Sequence, residues 1–100
     1  MIKHIVCFKL KEFAEGASKQ ENAREIKQQI ESLPGKIPQI KRAEVGINFV
    51  TAPVAYDLAL YAEFANREDL DTYVKHPEHV KVGQYIVPRN EQVVVVDYED

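Results

Sequence analysis

The sequence is poor in cysteine and in clustered basic charge. Its one cysteine, Cys7, has no second cysteine or CxxC motif, which excludes an internal disulfide and a thiolate metal site. No basic run is longer than Lys41-Arg42 and the net charge is −3, so nucleic acid and anionic membranes are poor candidates for partners. No apolar run approaches bilayer-spanning length, and Met1 leads into an alternating segment without signal-peptide features. We therefore predict a cytoplasmic protein.

The composition is that of an ordinary globular domain. The 100 residues are 45% hydrophobic and 29% charged, without tryptophan. A chain of this length holds one compact core and leaves no room for a second. We predict a single domain over residues 1–100.

The hydrophobic periodicity predicts four strands and two helical regions. Alternating apolar residues predict strands over 2–10, 42–48, 56–64 and 92–98, with a bulge or close backbone approach at Gly46. Ser18 begins the first helix, and Asn66 begins a second that breaks near Pro77 and continues as a short segment over 78–84. The order β-α-β-β-α-β is that of a ferredoxin-like α+β fold, with a four-stranded antiparallel sheet and both helices on one side.

This arrangement leaves an apolar sheet face without a cover. A soluble monomer does not expose so large an apolar face, and four consecutive valines at 93–96 predict that both faces of the last strand are covered. A two-fold homodimer, in which two sheets pack face to face and bury about 1,600 Å², resolves the problem. The residues predicted for this interface are Ile5, Cys7, Val45, Ile47, Tyr61, Val94, Val96 and Tyr98.

Proton-exchanging side chains are densest where Pro77 cuts the helical pattern. Tyr73, His76 and His79 fall within seven residues there. A phenol can donate a hydrogen bond to a developing enolate oxygen, and an imidazole can act as a general base.

A second polar group is predicted from the topology. The first and last strands of a ferredoxin-like sheet are adjacent and antiparallel, so His4 and Asp97 should lie close together on the helix side, within reach of His79. A carboxylate bonded to one imidazole nitrogen fixes the tautomer and raises the basicity of the other nitrogen.

The same side chains also have a purely structural interpretation. Tyr73 has the spacing of a core residue with a polar tip, His79 can satisfy a buried pair with Asp97, and His4 can be a half-buried histidine with a satisfied ring. His76 can cap the carbonyls of the broken helix. The histidines have no metal-ligand spacing, so we predict neither a metal nor a cofactor.

Several segments, in this order, resemble the stress-responsive dimeric α/β-barrel (Dabb) family. They lie at residues 3–11, 37–40, 44–46, 56–58, 63–64, 73–80 and 95–98. The most specific are the element His76-Pro77-Glu78-His79 and the final valine run that ends in Asp97-Tyr98. The resemblance covers residues 2–99. It implies a ferredoxin-like protomer that dimerises through its sheet into a barrel.

The family resemblance also implies a candidate activity. Plant polyketide cyclases of this family, such as olivetolic acid cyclase, fold a linear tetraketide by aldol condensation without a metal or an organic cofactor. The matching catalytic residues here would be His4, Tyr73, His79 and Asp97. The residues that would line the substrate pocket are Val6, Phe8, Ile26, Ile30, Leu60, Val74, Val82, Gly83, Val93 and Val95.

Two functions therefore remain open at the level of sequence. The protein binds or converts a small hydrophobic carbonyl or polyketide-like compound as a lyase, cyclase or isomerase, or it is a non-catalytic, stress-associated structural dimer. A helix-side cavity of about 300 Å³ or more touching His79 and Tyr73 would favour the former, and a filled core the latter. A monooxygenase, as found among other dimeric α/β barrels, has no supporting tryptophan or asparagine constellation.

Overall fold

Four strands form one antiparallel sheet, and three helices pack on one face of it. The computed structural model describes residues 1–100. In chain order the elements are β1 (Ile2–Leu10), β2 (Phe13–Ala14), β3 (Ala17–Ser18), α1 (Lys19–Glu31), β4 (Ile40–Ile47), β5 (Leu58–Phe64), α2 (Arg67–Lys75), α3 (Pro77–Ile86) and β6 (Asn90–Glu99). The sheet has the spatial order β4-β5-β1-β6, and β2 and β3 form a separate small hairpin. The predicted ferredoxin-like fold is confirmed, with its second helical region divided in two.

Polar caps explain where the first two helices begin. The Ser18 hydroxyl accepts a hydrogen bond from the Glu21 N–H, and the Glu21 carboxylate accepts one from the Ser18 N–H, both at 3.2 Å. This is the predicted capping box. The Asn66 side chain accepts from the Asp69 N–H at 2.8 Å and begins α2 in a similar way.

The helix-side face of the sheet and the inner faces of the helices share one core. Eighteen buried hydrophobic side chains form a single cluster there. β1 and β5 contribute every second residue, because successive side chains of a strand point to opposite faces. No helix has both the length and the apolar character needed to cross a membrane. The cytoplasmic location stays a prediction.

The register of β4 places two predicted interface residues on the helix side. Val45 pairs with Leu60 and Ile47 with Leu58, and both leucines are buried under the helices. Paired residues share a face, so the assignment of Val45 and Ile47 to the outer face is wrong, and Val45 belongs to the core. Alternation within one strand defines two faces but does not say which face is buried. The pairing with β5 decides it, and a shift of one residue would exchange the faces.

Gly46 marks neither a bulge nor a close backbone approach within the chain. A Cβ atom at this position would meet nothing within 4 Å. The irregularity of β4 lies instead between Ile40 and Arg42, where the pairing with β5 shifts. That part of the prediction is wrong, because a glycine does not itself fix where a register shift occurs.

The other predicted interface residues share the outer face of the sheet. Ile5 pairs with Tyr61 on one side and with Val96 on the other, and Cys7 pairs with Val94. Tyr98, two residues beyond Val96, points the same way and pairs with a lysine of β1. The helices lie on the opposite side of the sheet, so this face has no cover within the chain.

β6 is exposed on both of its faces within one chain. Val93 and Val95 lie on the helix side, Val94 and Val96 lie on the outer side, and all four are exposed. The prediction that both faces are covered therefore fails for the single chain. The reason is that β6 is an edge strand against which, unlike at the other edge strand β4, no helix packs closely.

Candidate functional site

A cavity of about 370 Å³ lies between the sheet and the helices α2 and α3. Twelve of its 17 lining residues are hydrophobic, and Tyr73, which also carries a hydroxyl, is one of the twelve. Of the residues predicted to line a pocket, the structure places here Val6, Phe8, Ile30, Leu60, Val74, Val82, Gly83, Val93 and Val95. The polar lining consists of His4, Tyr73, His79, Asn90 and Asp97. The four residues predicted to be catalytic thus line one space.

One predicted pocket residue lies elsewhere, and four lining residues were not predicted. Ile26, one turn before Ile30 on α1, is fully buried in the core and does not line the cavity. The unpredicted lining residues are Leu33, Ile86, Val87 and Asn90. The spacing of four between Val82 and Ile86 could have indicated that α3 continues past Gln84. The spacing of three between Ile30 and Leu33 likewise places Leu33 on the buried stripe of the first helix. No sequence signal distinguished Val87 and Asn90 from ordinary turn residues.

The pairing of β1 with β6 joins His4 to Asp97. The two residues are directly opposite each other, and Nδ1 of His4 donates to Oδ1 of Asp97, as the strand order predicted. His4 is only 7% exposed, and the rings of Phe64 and Tyr73 pack edge-on against it. The carboxylate holds a proton on Nδ1, which leaves Nε2 of His4 directed to other partners.

The break between α2 and α3 positions the second imidazole. Pro77 disfavours helical dihedrals in His76, which is extended with ψ 135°. Nδ1 of His76 accepts from the Glu78 N–H at 3.1 Å, so the His76 side chain caps the start of α3, while its backbone N–H donates to the Tyr73 carbonyl at the end of α2. His79 lies in the first turn of α3, and its Nδ1 donates to the Val74 carbonyl at 2.9 Å. This carbonyl is among those that a helix end leaves without a backbone partner.

The bond to Val74 determines which nitrogen of His79 is free. A carbonyl oxygen can only accept, so the ring proton sits on Nδ1 and the lone pair of neutral His79 is on Nε2. Burial lowers the pKa of His79, and this effect outweighs the opposing hydrogen bond to Val74. At neutral pH the imidazole is therefore uncharged and can accept a proton. His79 does not pair with Asp97, contrary to the structural interpretation, because Asp97 is held by His4.

The phenol of Tyr73 lies between the two imidazoles. Its ring centroid is 4.4 Å from that of His79 and 5.8 Å from that of His4. Burial raises the pKa of Tyr73 to about 12, so the phenol keeps its proton at physiological pH. The Tyr73 oxygen is not a fully buried atom without a hydrogen-bond partner. Tyr73 lines the cavity, so its hydroxyl can donate to a molecule bound there.

The cavity carries little formal charge. No lysine or arginine lines it, and Asp97 is its one carboxylate. Asp97 is itself paired with His4. The arrangement combines an uncharged base, an uncharged hydrogen-bond donor and a carboxylate–imidazole pair within an apolar wall.

Comparisons with known proteins give a family and a fold. The model of a family described as the stress responsive A/B barrel domain matches residues 2–100. An uncharacterised protein of Streptomyces coelicolor is 29% identical over 100 residues, with 99% of both chains covered. A dimeric protein of unknown function with a ferredoxin-like fold, from Bacteroides fragilis, is 38% identical with a TM-score of 0.83, covering 99% of this chain and 95% of that chain.

Other solved structures add information about assembly and about the fold. Three of the neighbours with a ferredoxin-like fold are dimeric proteins of unknown function. A hydroxynitrile lyase from Passiflora edulis is 19% identical with a TM-score of 0.80, covering 97% of this chain and 90% of that chain. At that identity the likeness shows a shared fold alone.

Proposed function

The chain belongs to the stress responsive A/B barrel domain family, and from this premise we propose that it acts as a homodimer on a small carbonyl compound with an apolar body. The proposed step is the removal of a proton from the carbon next to the carbonyl group, as in a lyase, cyclase or isomerase. One observation carries the proposal. An apolar cavity of about 370 Å³ contains both an imidazole with a free Nε2 and a phenol that stays protonated.

The lining favours a neutral ligand. Small-molecule sites are typically about 300–1,000 Å³ with apolar walls and few polar groups, as here. A carboxylate or phosphate would find no lysine or arginine among the lining residues and would lie near the carboxylate of Asp97. We therefore assign the site to uncharged ketones, aldehydes or polyketide-like chains.

The side chains have distinct roles in the proposed step. Nε2 of His79 takes the proton, and the electron pair of the C–H bond forms a C=C bond while the carbonyl π electrons move onto oxygen. The Tyr73 hydroxyl donates a hydrogen bond to the resulting enolate oxygen. His4, oriented by Asp97, offers Nε2 as a second polar contact for the ligand. The enolate carbon then takes the proton back from His79, or it attacks another carbonyl carbon of the same chain, whose π electrons move onto oxygen and take the proton from His79.

Hydrogen–deuterium exchange tests this step without knowledge of the natural substrate. The α-protons of 2-octanone, incubated with the protein in D₂O, should exchange measurably faster than without it, as followed by proton NMR. His79→Gln should reduce the catalysed rate by about 10²–10⁴-fold, the usual contribution of a general base. His76→Asn is the matched control, because it removes a nearby histidine that does not line the cavity and keeps an acceptor for the Glu78 N–H.

The result can contradict the proposal in two ways. Equal exchange by folded His79→Gln and by the unchanged protein would eliminate His79 as the base. Absence of exchange for ketones, aldehydes and diketones of several lengths would eliminate the carbonyl chemistry.

A non-catalytic structural dimer is the second candidate, and the packing of Tyr73 favours it. The ring of Tyr73 contacts Phe64 at a centroid distance of 4.9 Å as well as both imidazoles, as a core aromatic would. Tyr73→Phe separates the two functions, since it keeps the ring and removes the donor. If Tyr73 is catalytic, Tyr73→Phe should exchange α-protons more slowly than the unchanged protein at the same melting temperature. If its role is structural, neither protein should catalyse the exchange.

A further inference from the structure

The sheet wall of the cavity is open along β6 in the single chain. Val93 and Val95 line the cavity, yet they are 46% and 53% exposed. On the neighbouring strands β1 and β5, the lining residues Val6 and Leu60 are only 6% and 3% exposed. In the helical region, Val74 and Val87 also line the cavity and are 45% and 73% exposed. Within the sheet, the lining is therefore exposed along β6, the strand that also supplies Asp97.

The two edges of the sheet differ in how they are protected. At the β4 edge, the Glu31 carboxylate accepts from the Val45 N–H at 3.1 Å, and the Lys27 ammonium donates to the Val45 carbonyl. Side chains of α1 thus satisfy backbone groups that would otherwise be free. The β6 edge has no such protection along its run of four valines. A long, exposed, apolar edge strand is a surface that proteins normally cover.

A second copy of this chain is the occupant that fits. The outer face of β6 carries Val94, Val96 and Tyr98, which belong to the sheet face that requires a cover in the homodimer. The same strand carries Val93 and Val95 on its other face, so the two exposed surfaces are continuous around one edge. The chain also exposes apolar side chains outside β6, such as Phe49 in the β4–β5 loop, which is 96% exposed.

We propose that the second copy of the homodimer covers β6 on the helix side as well as on the outer side, and so completes the wall of the cavity. The ligand site is then enclosed only in the dimer. The proposal rests on the homodimer of the proposed function, but it requires none of the proton-transfer chemistry.

Enclosure would also change the electrostatics of the site. Asp97 is 39% exposed at its side chain in the single chain, where water weakens its interaction with His4. Removing that water strengthens the His4–Asp97 hydrogen bond and the hydrogen bonds that a ligand makes beside it. Dimerisation would therefore affect binding without any change in the residues of the cavity.

Cysteine labelling tests the proposal without a ligand. In a Cys7→Ser background, Val95→Cys places the one thiol on the helix-side face of β6, and N-ethylmaleimide labelling is followed by intact mass spectrometry. Val80→Cys is the matched control, because Val80 is a valine on α3 of similar exposure, at 43%. Light scattering first establishes that each variant is dimeric, and Val96→Asp is added to dissociate it through the outer face.

The expected result is protection of the thiol in Val95→Cys that depends on the dimer. Relative to the Val80→Cys control, the β6 thiol should be labelled about tenfold more slowly in the dimer. Its labelling rate should rise again on dissociation, because the rate is set by the fraction of protein that is dissociated. If Val96→Asp does not fold, dilution of the Val95→Cys variant should give the same recovery.

Two results would overturn the proposal. One is equally fast labelling of the β6 thiol in the intact dimer and in the dissociated chain. The other is a stable monomer at every concentration. A protected β6 thiol in a dimer without exchange activity would uphold this inference while eliminating the proposed chemistry, so the two failures are distinguishable.

Discussion

β1 and β6 are neighbouring strands of similar apolar character, and they differ sharply in burial. Val6 of β1 and Val95 of β6 are directly paired on the helix-side face, yet they are 6% and 53% exposed. β1 lies between two strands and beneath the helices, whereas β6 has one neighbour. Position in the sheet, and not residue type, therefore decides how much of each valine is removed from water.

The difference is the basis for proposing that a second copy covers β6. Full burial of a valine side chain stabilises a protein by about 1.5–3 kcal/mol, and the single chain leaves four valines of β6 largely without this contribution. The site is divided in the same way. β1 holds His4 rigidly, while β6 presents Asp97 at the open edge.

Placing a charge at each member of the Val6–Val95 pair should give the largest contrast. Val6→Asp should leave no folded protein. Burying an unpaired carboxylate in the core costs several kcal/mol, and the free energy of unfolding of a domain is only about 5–15 kcal/mol. Val95→Asp should yield a folded protomer, because its side chain reaches water. Circular dichroism on heating measures both, and equal loss of folding in dilute monomer would mean that β6 is as enclosed as β1.

Cutting the link between the two strands should have an intermediate effect. Asp97→Ala leaves Nδ1 of His4 without its acceptor in a buried position and should lower the free energy of unfolding by about 1 kcal/mol. The matched control is Glu99→Ala, which removes an exposed pair with Arg67 further along β6 and should cost about 0–0.5 kcal/mol. Urea titration of both variants measures the difference. If they lose the same stability, the His4–Asp97 bond has no special role.

The smallest effect should be a pH dependence that comes from α3 and not from either strand. Burial holds the pKa of His79 below its ordinary value of 6.5, so the unfolded chain binds more protons than the folded chain as the pH falls through that value. Stability should therefore rise with pH across this window and level off once the unfolded histidine is neutral. Urea unfolding at several pH values measures it, and His79→Gln should flatten the curve. An unchanged slope in that variant would contradict the assignment.

Much of the fold followed from local sequence patterns. The capping box at Ser18 and Glu21 and the cap at Asn66 involve residues three positions apart, so their hydrogen bonds depend on the chain nearby. The break at Pro77 is also local, because the proline ring restricts the dihedrals of the preceding residue. The proximity of His4 and Asp97 could also be predicted, but from the order of the strands and not from a local pattern.

Other features of the site depended on packing between distant residues. Alternation in β4 could not indicate which face holds Val45, because the answer lies in its register with β5. Helical spacing grouped Ile26 with Ile30, although only Ile30 reaches the cavity. Sequence likewise left the partner of His79 open, and the structure shows a bond to Val74 across the helix break.

The sequence by itself determined the elements, their order, and a cluster of acid–base residues near the helix break. It could do so because dihedral preferences, caps and periodicity act over a few neighbouring residues. Only the tertiary structure decided that a cavity exists, which imidazole nitrogen is free, and that β6 is left open. Those properties arise from the space remaining between surfaces that meet over long sequence separations, and no single segment of the chain encodes them.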